Sequence, residues 1–268
     1  MDDTSAEDGV GIRPDTGGHI GRRALLESGA RLAVGAGVLG TAAATRGGTA
    51  AASAPKARHP ATGLRLPDTA LARQAMRFAR DESSAVLFNH VMRSYHFGVL
   101  LLERAGARYD RELLFIGSVL HDLGLVERFS TPTERFELDG ADAARRFLRE
   151  RGMAADRVDV VWDAIALHTN ATIAARKRPE IAAVAAGAGV DVGGRGLEAL
   201  DPDDVAAVVA AHPRTGFKRD TVDTMVDQCR RKPTAYFTHP FAEVGRRHIP
   251  GFAVPTVEDV VLAAPFPD

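Results

Sequence analysis

From Pro67 onward, apolar side chains recur at intervals of three and four residues, and alternating stretches are nearly absent. That periodicity restricts the folded part of the chain to helices packed on helices. Asp68-Thr69 reads as the cap of a helix over 70–80, and Ser83-Ser84 precedes a second helix that carries His90. A third spans about 111–123, with Leu113, Leu114, Gly117, Leu120 and His121 on one face and Gly124 at its C-terminus. Residues 127–138, which include Pro132, read as a loop, after which Asp139 or Gly140 opens a helix over 141–151. Asp156 caps the next, on which Val158, Val161, Trp162, Ile165 and His168 share a face. Ile181, Val184, Ala188 and Asp191 keep helical spacing through an Ala- and Gly-rich segment, whose small residues permit close helix approach. Asp201-Pro202-Asp203-Asp204 starts a further helix that Pro213 ends, and residues 221–231 form the last. The Pro- and Phe-containing stretch 234–268 is expected to be irregular apart from short turns. The expected fold class is all-α: one helical bundle over 67–233.

With 268 residues the chain suits one domain plus an appendage and buries a full core without disulfide or metal staples. Its formal net charge is -1 and its basic residues are scattered, so no nucleic-acid partner is called for and small-molecule chemistry fits better. The single cysteine, Cys229, excludes a disulfide framework and a thiolate zinc site, and reads as structural.

Residues 1–60 differ from the rest. Arg22-Arg23-Ala24-Leu25-Leu26 is followed by an uncharged stretch over 32–44 and an Ala/Gly/Ser/Thr-rich tract reaching Pro55. This order is that of a flexible signal segment, and the paired arginines resemble the twin-arginine signal, whose machinery exports proteins already folded. Export to the periplasm or outside the cell is therefore expected. The uncharged stretch is too short to span a bilayer, so no permanent membrane anchor is expected. The alternative is a disordered tail on a cytoplasmic protein, favoured by Glu27 and Arg31 ahead of the apolar stretch.

His121-Asp122 closes the apolar run from Ile116, and His90, His168 and Asp191 each fall on the inward face of another expected helix. Neutral imidazole and carboxylate oxygen are the donors that hold a divalent metal while leaving positions open for water. A carboxylate entering a core without a partner is costly, and a metal ion is one of the few partners that removes the cost. A lone histidine on an apolar face is more often a core residue, so the ordered set carries the argument. Two histidines with two carboxylates suit zinc, iron, manganese, cobalt or nickel alike; zinc is the expected ion, with iron or manganese next.

The order His90, His121-Asp122, Asp191 resembles the HD-domain superfamily of metal-dependent enzymes. Phe88-Asn89-His90-Val91-Met92-Arg93-Ser94-Tyr95, His121-Asp122-Leu123-Gly124, Phe136-Glu137 with Gly140, and Pro213-Arg214-Thr215-Gly216-Phe217-Lys218 resemble its cyanamide-hydratase-like branch over roughly residues 67–233. The resemblance implies an all-helical fold with the metal site in its core, and His90, His121, Asp122 and Asp191 as the ligands. It also implies that His168, in Ala166-Leu167-His168-Thr169-Asn170, binds substrate or moves a proton near the metal; a capping or core histidine is the alternative. One departure is Gly189-Val190-Asp191-Val192-Gly193, where Asp followed by Asn and then Gly is expected. Residues that would select cyanamide are not matched, so the substrate does not come with the fold.

Arg93, three residues after His90, is a candidate for holding a substrate anion or a supporting carboxylate, with a plain ion pair as the alternative. Asn170 is a further substrate-binding candidate. Lys218 joins His168 and Asp122 as a catalytic candidate, against the default of a solvated lysine. The leading expectation is activation of water for hydration or hydrolysis of a small molecule such as a nitrile. The alternatives are a phosphohydrolase acting on a nucleotide or phosphoester, which needs several Arg or Lys near the metal, and a non-catalytic binding module.

Overall fold

The structure, a computed structural model, describes residues 64–266 and contains eleven α-helices and no strand among them. They are α1 Ala70–Glu82, α2 Ala85–Arg104, α3 Arg111–Leu120, α4 Phe136–Arg149, α5 Ala155–Ala166, α6 Ala171–Ala174, α7 Pro179–Gly193, α8 Pro202–Ala211, α9 Phe217–Arg231, α10 Phe241–His248 and α11 Val257–Leu262. The fold is all-α, as the periodicity requires. No helix among the described residues is long and apolar enough to cross a membrane. The expected signal segment, 1–60, lies outside the described residues.

Side-chain caps start several of the helices where the sequence places them. Thr69 accepts from the Ala72 amide, Ser84 from Leu87, Asp110 from Glu112 and Leu113, and Asp201 from Asp203. α3 is the central helix. Every residue from Leu113 to Leu120 is buried, and the helix lies against α1, α2, α5 and α7. A helix apolar all round has no solvent face to choose, and each buried Leu, Ile or Phe contributes about 1.5–3 kcal/mol.

α2 and α7 form the most extensive helix pair. A Cβ on Gly187 would collide with the Ser94 carbonyl oxygen, and one on Gly98 would sit 2.9 Å from the Ala183 carbonyl oxygen, so both crossings require glycine. This approach brings His90 on α2 against Asp191 on α7.

Four local expectations are corrected. α3 ends at Leu120, so His121 is its C-cap and Asp122 enters a 3-10 turn over Leu123–Leu125. α4 begins at Phe136, ahead of Asp139, because Asp139 is inside the helix: it accepts from Thr131 Oγ1 at 2.7 Å and from Lys232 Nζ at 2.6 Å. α5 has no side-chain cap; Asp156 stands in its first turn, and the helix ends at Ala166, leaving His168 in the turn beyond. Finally, 234–268 holds α10, α11 and a 3-10 turn over Pro233–Tyr236. Tyr236 and Phe241 are buried with Phe136 and Cys229, and the Cys229 thiol donates to the Phe241 carbonyl at 3.1 Å. The part of the segment from Tyr236 through α10 is thus joined to the core by apolar burial that its composition conceals, whereas α11 is exposed.

Candidate metal centre

His90 comes from α2, His121 and Asp122 from the end of α3, and His168 from the turn after α5; all four are buried. Asp122 is the point of convergence. Its Oδ2 lies 3.4 Å from His90 Nε2 and 3.3 Å from His121 Nε2, and its Oδ1 lies 3.6 Å from His168 Nε2.

The opposite ring nitrogens explain why each Nε2 presents a lone pair. His121 Nδ1–H donates to the Ser118 carbonyl at 2.7 Å and His168 Nδ1–H to the Ile165 carbonyl at 2.7 Å, both one turn back along the chain. His90 Nδ1–H donates to Asp191 Oδ2 at 2.6 Å. With Nδ1 as donor, the neutral ring leaves Nε2 as acceptor or metal ligand. His121 Nε2 is buried with no hydrogen-bond partner. An orphaned imidazole nitrogen facing a buried carboxylate fits a cation between them. Among the described residues, His90, His121 and Asp122 form a group whose ligand atoms lie within 4.8 Å of one another, able to hold a metal ion.

The electrostatics ask for the same positive charge. Burial alone would raise the Asp122 carboxyl, but His121, His90 and His168 hold it far below the usual carboxylate range. Burial disfavours a charged His121, but the Asp122 carboxylate outweighs burial and pushes that imidazole up. His168 goes the other way: burial, then the neighbouring His121, push it down to about 4, so its Nε2 is unprotonated at neutral pH.

Asp191, expected as a ligand, stands behind His90 and outside that group. Arg93 grips it with both arms, Nε to Oδ1 at 2.7 Å and Nη2 to Oδ2 at 2.8 Å, and Arg214 adds a further ion pair. The His90 hydrogen bond and the Arg93 pair hold the carboxyl down at about 2 against the raising effect of burial. Arg93 is spent in this arrangement, because its Nη1 donates to the carbonyls of His212 and Pro213 at 3.0 and 2.9 Å.

A cavity of about 230 Å³ opens onto the centre. His90, His121, Asp122 and His168 form its inner end, and Leu87, Leu125, Phe136, Phe217, Met225 and Phe241 supply much of its wall. Lys218 and Asn170 are not part of the lining. Helical spacing on α9 turns Phe217, Asp220, Thr221 and Thr224 to the cavity and leaves Lys218 in solvent. Asn170 is exposed and caps α6, accepting from the Ile173 amide.

His239 and Thr169 also line the cavity, and sequence patterns do not reveal them. Both serve Glu137, which is 1 % exposed: its Oε1 accepts from His239 Nε2 at 3.0 Å, Thr169 Oγ1 at 2.5 Å and Arg135 Nη2 at 2.5 Å. His239 Nδ1 accepts from the Phe241 amide at 3.1 Å. The available signal is Glu137 itself, an acid buried in the first turn of α4 that needs donors from somewhere.

A comparison with curated proteins finds no match. Residues 87–212, from α2 to just past α8, match the family model described as HD domain. HD domains are typically metal-dependent hydrolases. The matched stretch includes His90, His121, Asp122, His168 and Asp191, so this part of the bundle, with the centre in it, is similar to an HD domain.

Proposed function

We propose that this protein is a metal-dependent hydratase or hydrolase of small uncharged molecules, acting in the manner of the cyanamide hydratases. One observation carries the reading: the cations that phosphate recognition needs are committed elsewhere. Arg93 is consumed by Asp191 and two carbonyls, Arg214 pairs with Asp191, and Lys218 lies outside the cavity. The one cation in the lining is Arg195, which is exposed. A phosphoester would meet largely apolar walls, the buried Asp122 and the exposed Asp220.

His90, His121 and Asp122 would hold the ion, zinc first and iron or manganese next, with Asp191 orienting His90 through Nδ1. When bound, the ion supplies a polarising charge and a water of lowered pKa. His168 accepts a proton at Nε2 from the attacking water as the water oxygen bonds to the substrate carbon. For a substrate R–C≡N, one carbon–nitrogen π bond breaks, the nitrogen takes that proton, and tautomerisation gives the amide or urea; His168 ends as it began. Glu137 and His239 hold the wall beside His168 through Thr169 and Phe241.

The test is metal content of the purified protein beside Asp122→Ala, both assayed on cyanamide and on bis(4-nitrophenyl) phosphate. Metal lost from the variant together with hydration of cyanamide by the parent supports the reading. Phosphodiester cleavage without hydration replaces it with a phosphohydrolase, and a parent protein that takes up no metal replaces it with a binding module. The export signal read at Arg22-Arg23 belongs to the same proposal, and cell fractionation before and after Arg22→Lys, Arg23→Lys substitution tests it.

A further inference from the structure

We infer that the substrate of this site carries an apolar group of benzene size or larger beside its reacting carbon; the inference rests on the hydratase reading above. Cyanamide itself has three heavy atoms. The cavity measures about 230 Å³, and an apolar cavity of about 150 Å³ already accommodates benzene. A three-atom substrate would leave most of that volume to water in contact with aromatic and aliphatic walls.

The chemistry of the wall points the same way. Beyond the inner end, the larger surfaces are Leu87, Leu125, Phe217, Met225 and Phe241. Two of the rings are fixed by stacking: Phe241 lies on Phe136 at 5.2 Å and 6°, and Phe217 lies on His90 at 5.1 Å and 22°. Flat, immobile ring faces suit a flat or compact apolar group.

Of the polar side chains that interrupt this wall, all but Thr224 have other work or stand in solvent. Thr169 donates to Glu137, Thr221 donates to the Phe217 carbonyl at 2.7 Å, and both nitrogens of His239 are engaged. The exposed Arg195 and Asp220 mark the solvent side. Hydrogen bonding to a ligand is thus concentrated at the inner end, with the Thr224 hydroxyl as the one addition along the wall, and the rest of the cavity discriminates by apolar burial.

A matched pair isolates the apolar group: cyanamide against phenylcyanamide as substrates, and urea against phenylurea as product ligands, all on the full chain loaded with zinc. The expected result is a KM for phenylcyanamide at least tenfold below that for cyanamide, and calorimetric binding of phenylurea at least tenfold tighter than urea. Ala188→Leu, or Met225→Trp if the first variant fails to fold, fills the apolar region and should cut the phenylcyanamide-to-cyanamide ratio of kcat/KM at least tenfold. Equal or weaker handling of the phenyl compounds overturns the inference. If zinc binds and neither cyanamide is turned over, the hydratase reading fails on its own, and the product pair still decides: phenylurea binding no tighter than urea overturns the inference.

Discussion

His90 Nδ1–H donates to Asp191 Oδ2 at 2.6 Å, and Arg93 holds both oxygens of that carboxylate, at 2.7 Å and 2.8 Å. The side chains of Arg93 and Asp191 are both 0 % exposed. A residue expected to touch metal thus faces the imidazole of His90 from outside the His90, His121 and Asp122 group, where a carboxylate can fix the ring and its tautomer.

Arg93→Lys tests that arrangement. An ammonium cannot fill a forked site and reach two further carbonyls, so the Asp191 charge is left poorly compensated. Stability should fall by about 3 kcal/mol, the scale for breaking a buried pair, and metal affinity by about 10–100-fold. Denaturant titration and competitive metal titration measure the two effects; metal affinity equal to that of the parent would show that Asp191 does not work through His90.

His121→Ala removes the orphaned Nε2 and should abolish both metal binding and activity, whereas His168→Ala should keep the metal and lose roughly 10²–10⁴-fold in kcat. Metal analysis alongside steady-state kinetics separates the pair. Full activity in the His121 variant is incompatible with the site assignment.

Glu137 sets a pH dependence of stability. Burial pushes its carboxyl up, but the hydrogen bonds from His239 and Arg135 more than compensate and hold it well below its ordinary value of 4.5. The stabilisation is therefore fully present above that ordinary value, where the unfolded chain is also ionised, and is lost as pH falls toward the depressed folded value. The stability gap between the parent and Glu137→Gln, from denaturant titrations, should be constant from pH 7 to about 5 and narrow below that. A gap that does not change with pH would place the stabilisation elsewhere.

Gly187→Ala puts a Cβ into the Ser94 carbonyl oxygen and forces α2 from α7. Overpacking of this kind costs about 1–3 kcal/mol, which lowers Tm by several degrees in a chain of this size. Because His90 and Asp191 lie on these two helices, metal affinity should fall with Tm. A thermal melt and a metal titration on the same preparation check the coupling; a lowered Tm with unchanged affinity would break it.

The helices of the bundle were legible wherever apolar periodicity and a polar cap coincided, as at Thr69, Ser84 and Asp201. Sequence failed where one kind of residue serves two purposes. Asp139 looks like a helix cap, yet it is the buried partner of Lys232, and only the tertiary fold brings residues so far apart into contact. That His90, His121 and Asp122 cluster is legible from their order along the chain, and the fold brings their ligand atoms together. Arg93 holding a carboxylate is among the readings of the sequence; that the carboxylate is Asp191, outside the group of His90, His121 and Asp122, is not, since a ligand and a group that steadies a ligand have the same composition. His239 follows no local pattern: its position is set by Glu137, packed beside it from another part of the chain.

The inner end of the cavity is contributed by residues 90–168, within the matched stretch, whereas Phe217, Thr224, Met225, His239 and Phe241 all come from beyond residue 212. The wall is therefore shared, with Leu87, Leu125, Phe136 and Ala188 coming from the matched stretch and the other part from beyond it. Drift of the distal part can thus reshape one side of the cavity while leaving the buried His90, His121, Asp122 and His168 in place.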